Sequence, residues 1–325
     1  MATYELLERI ALGGFCELLR ARQRSAAGFA KTVAVKRLLP EFRDDPTRIR
    51  GLIEEACLAA SLSHGNLARI IDLVEVGDEW RIIVEYVPGL DLRQLNRLFA
   101  QNGRRLGLPE CLYVVQELLI ALDYLHNTET PDGLRRELVH GDVAPSNVMI
   151  SAAGEVKLID FGMLRDATAV RPSIGGKLRY ASPEQMRGRQ VDAQSDLYAV
   201  GLIMWELLAG ARIFEGMTQQ ALILAVQQAA VPPIELWRPD VPPVVMAIVL
   251  RATAVEPERR FLSAADFLRA LARVEVAQDA ASRQQVLAGL IRRIRAMGVS
   301  SASSLPVEAA VYESSLEEAL NQQLQ

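Results

Sequence analysis

The stretch "LVHGDVAPSNVMI" (138–150) sets Asp142 and Asn147 five residues apart on a loop held between two apolar runs. Thirteen residues after Asn147, "VKLIDFGM" (156–163) ends an apolar run on Asp160, with Phe161 and Gly162 behind it. A carboxylate at the end of a strand projects into whatever cleft the strand faces. Magnesium takes few carboxylates and prefers to share its oxygen shell with phosphates, so an Asp and an Asn on neighbouring loops are suitable hard ligands. Asp142 is then free to orient a hydroxyl. Either stretch alone also reads as a polar turn that caps a strand.

Two features nearer the N-terminus bear on the same chemistry. "TVAVK" ends in Lys36, whose strand neighbours Val33 and Val35 are apolar. An ammonium facing a cleft from such a strand needs a partner, because burying it alone is costly. Glu55, in the following helical stretch, is the candidate, although most lysines and glutamates are simply solvated. "IALGGFCELLRA" (10–21) is a glycine-bearing turn between strand-like runs, where backbone amides of Gly13 and Gly14 can approach a phosphate.

The elements that must position these groups change character along the chain. "TVAVKRLL" (32–39) and "WRIIVEYV" (80–87) are β-branched, strand-like runs. Between them, "DDPTRIRGLIEEACLAASLSH" (44–64) has helical spacing through Ile49, Leu52 or Ile53, Ala56, and Ala59 or Ala60, and Pro46 suits a helix start. "VPGLD" (87–91) breaks the pattern. Beyond it helices dominate: 109–126, with Leu112, Val115, Leu119, Leu122 and Leu125 on one face, then about 192–210, 218–230, 242–254 and 263–274. "TETPDGLRRE" (128–137) reads as an exposed loop. Residues 276–297 carry an apolar stripe (Val276, Ala280, Leu287, Ile291, Ile294) beside Arg292, Arg293 and Arg295, and 306–325 reads as an acidic helix.

Taken in order, these motifs resemble a protein kinase of the bacterial, eukaryotic-like Ser/Thr type over residues 1–274. "VAVK" is similar to the strand-three segment, which implies that Lys36 contacts the α- and β-phosphates with Glu55 as its partner. "HGDVAPSN" resembles the catalytic loop, implying Asp142 as catalytic base and Asn147 on the metal; "DFG" implies Asp160 on the metal. "SPE" (182–184), "SDLYAVG" (195–201) and "EPERRF" (256–261) resemble later segments, implying that Asp196 holds the catalytic-loop backbone and that Arg260 pairs with Glu184. Val84 falls at the gatekeeper position, Glu85 and Val87 at the backbone hinge for adenine, and Asp91 within reach of the ribose. The implied fold is α+β and bilobal. An N-lobe (1–86) has a small five-stranded antiparallel sheet and one main helix; a hinge (85–89) leads to a larger, mostly helical C-lobe (90–274). A helical extension (275–325) follows.

Three departures qualify the resemblance. The glycine loop keeps one family glycine, Gly13, with Ala11 and Cys16 at the other two positions, so weaker ATP binding is expected. Gly141 stands where many kinases have an arginine that receives an activation-segment phosphate, so an enzyme not switched on by phosphorylation of Thr168 or Ser173 is expected. Ala144 replaces a lysine, and Lys177 in "GGKLRYASPE" is the candidate to supply the missing charge as a catalytic residue. Two other readings stand beside the Ser/Thr kinase: a weak pseudokinase scaffold, and a small-molecule phosphotransferase of the aminoglycoside type, which "HGD" and "IDF" also resemble.

Composition sets the remaining expectations. Half of the 325 residues are hydrophobic and the net charge is −4, which argues against a nucleic-acid partner. Cys16, Cys57 and Cys111, an odd number at no metal-ligand spacing, read as free thiols of a reducing compartment. His64, His126 and His140 are too scattered for a zinc site. The N-terminus carries acids early and does not read as a signal peptide, and no apolar run reaches the roughly 18 residues of a membrane span. The expected protein is cytoplasmic, off the membrane, with ATP and magnesium (or manganese) as cofactors and a protein substrate. Its C-terminal helices pack on the C-lobe, pair with each other, or serve self-association or a partner.

Overall fold

The computed structural model describes residues 3–24, 28–129, 135–166, 177–275 and 279–297. Strands β1 (Thr3–Leu12), β2 (Cys16–Arg24), β3 (Ala30–Leu38), β4 (Ile70–Val76) and β5 (Glu79–Glu85) form an antiparallel sheet in the order β1-β2-β3-β5-β4. The two-residue period of β3 sorts its side chains onto the two faces. Val33 and Val35 join Ala21 and Ile83 on one face; Leu38 joins Leu52, Ala56 and Ile82 in a second cluster, under helix α1 (Pro46–Ala59). Lys36, two residues from Leu38, therefore faces the helix.

Helix α1 starts where Pro46 suggested. Asp45 caps it, accepting from the amides of Thr47 at 2.8 Å and Arg48 at 3.3 Å. It stops at Ala59, short of the full stretch that kept helical spacing, because Ser-His-Gly-Asn (63–66) favours turns: His64 Nδ1 accepts from Asn66 N at 3.1 Å. The "VPGLD" break becomes a short strand, β6 (Gly89–Asp91), and α2 (Leu92–Gln101) follows directly from an Asp91–Gln94 capping box.

Helix α3 (Leu108–His126) runs through the C-lobe between α5 (Ala193–Ala209) and α8 (Ala264–Leu271). The spacing picked out one apolar face, yet Cys111, Tyr113, Val114, Leu118 and Ala121 are buried as well. A central helix is covered on most sides. The 128–137 loop carries more order than its composition suggests: β7 (Thr128–Glu129) pairs with β8 (Arg135–Arg136), and residues 130–134 lie outside the described residues. Then β9 (Leu138–Val139) leads into the 140–147 loop, and β10 (Val148–Ser151) and β11 (Val156–Leu158) form a hairpin that pairs with β6. β12 (Arg165–Asp166) pairs with β9.

Helices α4 (Pro183–Met186), α6 (Gln219–Gln227) and α7 (Pro243–Ala252) complete the C-lobe. Arg260, with no exposure, donates to both oxygens of Glu184 at 2.7 Å, the pairing the family resemblance implied. Breaking such a buried pair from one side costs about 3–5 kcal/mol. The pair anchors the end of the segment that carries Lys177.

The C-terminal extension contributes α9 (Ala280–Ala296), which lies on α3 and β10 with Leu287, Ala288 and Ile291 buried. Arg283 stays buried by donating to Gln116 Oε1 at 3.1 Å and lying over Tyr113. Of the alternatives for the tail, packing on the C-lobe is the one observed for this helix. Ala280, counted in its apolar stripe, is exposed, while Val276 and the acidic stretch 306–325 lie outside the described residues.

Candidate active site

Lys36, Glu55 and Asp160 meet although 124 residues separate the first from the last. The Lys36 ammonium donates to Glu55 Oε1 at 2.8 Å, to Glu55 Oε2 at 2.9 Å and to Asp160 Oδ1 at 2.7 Å. One cation thus bridges a helix of the N-lobe and a loop of the C-lobe. Burial by itself would discharge the Lys36 amine, but the Asp160 and Glu55 carboxylates more than offset that and keep it protonated. The ammonium in turn holds the Asp160 carboxyl well below the usual carboxylate range. Asp160 keeps 44% of its side chain open to the cleft, so it remains available to a ligand. Gly162 leaves room for this cluster: a Cβ there would lie 3.3 Å from Lys36 Nζ and 3.4 Å from an oxygen of each carboxylate. Asp160 itself has φ 65°, a left-handed backbone that a non-glycine residue adopts at some strain.

The 140–147 loop is fastened from below. Asp196, 2% exposed at the start of α5, accepts from His140 N and Gly141 N, both at 2.9 Å. Its own partner is His126, the last residue of α3, with Nε2 at 3.0 Å. Burial would raise the Asp196 carboxyl, but His126, His140 and the Gly141 amide outweigh it, so it stays ionised. Gly141 has φ +74°, so the loop reverses through a left-handed residue where any side chain would be strained. The missing arginine charge therefore goes together with a backbone that favours glycine. His140 is fully buried against Phe161, and its Nδ1 accepts from Asp142 N at 3.3 Å; it packs under the loop.

Above that anchor, Asn147 Nδ2 donates to Asp142 Oδ2 at 2.8 Å and to Asp142 O at 2.9 Å. Lys177 closes the group: its amide donates to Asp142 Oδ1 at 3.2 Å, and its ammonium to Asn147 Oδ1 at 2.8 Å, 3.4 Å from Asp142 Oδ2. Ala144, where a lysine was missing, is fully buried and points no charge into the cleft. The amide of Ile159 donates to Asn147 O at 2.8 Å, which sets Asn147 beside the strand end that carries Asp160. Among the described residues no three His, Cys, Asp or Glu side chains gather as a metal cage. A cation here would have Asn147 and Asp160 as protein ligands and need phosphate oxygens to fill its shell, which fits magnesium.

The nucleotide positions are placed less fully. Gly13 and Gly14 form the turn between β1 and β2, closed by Gly13 N donating to Cys16 O at 2.8 Å; neither is among the described glycines with positive φ. Glu85 ends β5, and its carboxylate turns to the back, pairing with Lys157 Nζ at 3.1 Å and accepting from Arg69 N at 3.2 Å. Its backbone amide donates to Arg69 O at 2.8 Å, and Val87, two residues on, is buried. Asp91 spends Oδ1 on the α2 cap, accepting from Gln94 N at 2.7 Å, a job the sequence reading did not give it. A cavity of about 390 Å³ also lies behind the hinge, lined by Val87, Pro88, Ala152 and Arg292 among others; Lys36, Asp142, Asn147 and Asp160 do not line it.

His126 was missed because a histidine closing "DYLH" reads as an ordinary helix end; only the fold brings it to Asp196. Gln185 was missed too: its Nε2 donates to Gly141 O at 3.2 Å and so ties the 182–185 turn to the catalytic-type loop.

A profile of the protein kinase domain matches residues 4–271, and the chain belongs to the protein kinase family. It is 34% identical over 272 residues to the tyrosine-protein kinase MasK of Myxococcus xanthus, covering 82% of this chain and 42% of that protein. It is 33% identical over 267 residues to the serine/threonine-protein kinase PrkC of Bacillus subtilis, covering 81% and 39%, and 32% identical over 286 residues to the serine/threonine-protein kinase PknB of Mycolicibacterium smegmatis, covering 85% and 43%. The chain thus spans about two fifths of the length of these relatives. Helix α9 lies beyond the matched domain. Among the described residues no helix is long and apolar enough to cross a membrane.

Proposed function

We propose that the chain transfers the γ-phosphate of ATP to Ser or Thr hydroxyls of protein substrates, as a catalytic unit of residues 1–274 with an appended C-terminal extension. The observation that carries this is Lys36, held at 2.8 Å from Glu55 and 2.7 Å from Asp160 across the two lobes. An ammonium so placed would take the α- and β-phosphates. Asn147 and Asp160 would hold magnesium, or manganese, and the ion would neutralise charge on the transferred phosphoryl. Asp142 would orient the incoming hydroxyl and accept its proton. Glu85 and Val87 would offer backbone groups to adenine, Asp91 its second carboxylate oxygen to the ribose, and Gly13 and Gly14 their amides to phosphate. Lys177 must release Asn147 Oδ1 before that oxygen can ligate a cation, and its freed ammonium would then meet the charge developing on the phosphoryl group. The bidentate Arg260–Glu184 pair supports a platform for a peptide, since it fastens the segment next to the acceptor site.

The acceptor and setting rest on the relatives' names, which include both serine/threonine and tyrosine kinases. A cytoplasmic setting is supported by the three free thiols. The test is phosphate transfer from labelled Mg-ATP followed by phosphoamino-acid analysis. Phosphoserine or phosphothreonine, lost by about 10²–10⁴-fold in Asp142→Asn, is expected. Equal signals from wild type and variant would point instead to a pseudokinase scaffold; phosphotyrosine alone would move the acceptor.

A further inference from the structure

The turn between β1 and β2 lacks two of the three glycines of its family, yet it is held by several contacts of its own. Beyond the Gly13–Cys16 hydrogen bond, Leu39 N donates to Phe15 O at 2.9 Å, tying the turn to the end of β3. The Phe15 ring stands edge-on to Phe42, with centroids 5.1 Å apart and planes at 78°. The Arg48 guanidinium lies over the face of Phe15, its Cζ 3.3 Å from the centroid. Phe42 and Cys16 continue into the apolar cluster of Leu38, Leu52, Ala56 and Ile82. Arg48 belongs to the first turn of α1, the helix that presents Glu55 two turns later. Its only ionic neighbour among the described residues, Asp45, is 4.0 Å away and caps the helix.

We propose that Phe15, Phe42 and Arg48 are positioning residues that hold the 13–16 turn over the triphosphate and couple it to the helix bearing Glu55. The inference rests on the kinase reading above. Edge-on aromatic contact and a cation over a ring face are each directional, so together they fix the turn where backbone freedom would otherwise let it wander. A turn ordered before the nucleotide arrives loses less freedom when it binds, which offsets the affinity expected to go with Ala11 and Cys16. Cys16 adds no opposing charge, since burial pushes its thiol up to about 11. Loop and helix then move as one body, and displacing the turn pulls on the Lys36–Glu55 pair.

The test compares binding of Mg-ATP and of adenosine to the full chain by calorimetry, in wild type, Arg48→Ala, Arg48→Lys and Phe42→Leu. The turn acts on phosphates, so Arg48→Ala should weaken ATP by about three- to tenfold, adenosine should be unchanged, and the ammonium of Arg48→Lys should restore part of the loss. Phe42→Leu, which keeps apolar volume but removes the edge-on ring, should behave like Arg48→Ala. Hydrogen exchange of the amides of residues 13–16 should speed up in both weakened variants without nucleotide. Equal ATP affinity in wild type and Arg48→Ala, or parallel losses for ATP and adenosine, would overturn the clamp while leaving the kinase reading intact. A wild type that binds neither ligand would overturn both.

Discussion

The Lys177 ammonium lies 2.8 Å from Asn147 Oδ1 and 3.4 Å from Asp142 Oδ2, although the three residues are 30 and 35 positions apart in the chain. Two loops therefore share one cation, and the backbone of Lys177 also donates to Asp142 Oδ1.

If that ammonium serves the transferring phosphate, Lys177→Ala should lower kcat by about 10–10²-fold, while the Kd for ATP stays close to wild type. Single-turnover transfer together with equilibrium nucleotide binding separates the two quantities. A loss confined to affinity would show that Lys177 only helps to hold the nucleotide.

Thr168 and Ser173 lie outside the described residues, and Gly141 stands in place of the arginine that would receive their phosphates. It has no side chain, and φ +74° strains any replacement. Changing both residues to Ala should leave the specific activity of purified protein near that of wild type. A fall of about tenfold, 1.4 kcal/mol, would mean that another cation receives the phosphate.

Glu206, on α5, accepts from Tyr180 Oη at 3.0 Å and from Ile213 N at 2.8 Å, and burial pushes its carboxyl up to about 7 against the opposing pull of Arg212 and Arg179. A carboxyl with a raised folded pKa favours folding fully below its unfolded pKa, and loses that contribution as pH climbs to the folded value. Glu206→Gln keeps an oxygen for both donors and removes the ionisation. Its stability relative to wild type should rise between about pH 5 and pH 7 and level off above, by no more than about 3 kcal/mol. Denaturant melts across that range measure it, and a difference flat with pH would contradict it.

How much of this was legible in sequence follows the range of the interactions. Asp142, Asn147 and Asp160 announce themselves because their loops sit between apolar runs, and Pro46 and Asp45 mark a helix start by local rules. The Arg260–Glu184 pair and the Asp196 anchor were legible only through resemblance, since 76 and 55–56 residues separate the partners. His126 under Asp196, Arg48 over Phe15 and the turned-back carboxylate of Glu85 were not legible at all. Each depends on which faces two elements present to each other, and side-chain spacing within one element does not encode that. Helix α3 shows the same limit, because periodicity finds one buried face and cannot count how many neighbours will cover the others.

On the proposed function, Lys36, Glu55, Asp142, Asn147 and Asp160 converge on one metal-bound triphosphate, and Asp160, 2.7 Å from the Lys36 ammonium, would join the lysine to the metal. The direct measurement is ATP affinity with and without magnesium in wild type and in Asp160→Asn. Wild type should tighten by about tenfold or more, at least 1.4 kcal/mol, when magnesium is added, and the variant should not respond. An equal magnesium response in both proteins would contradict the site described here.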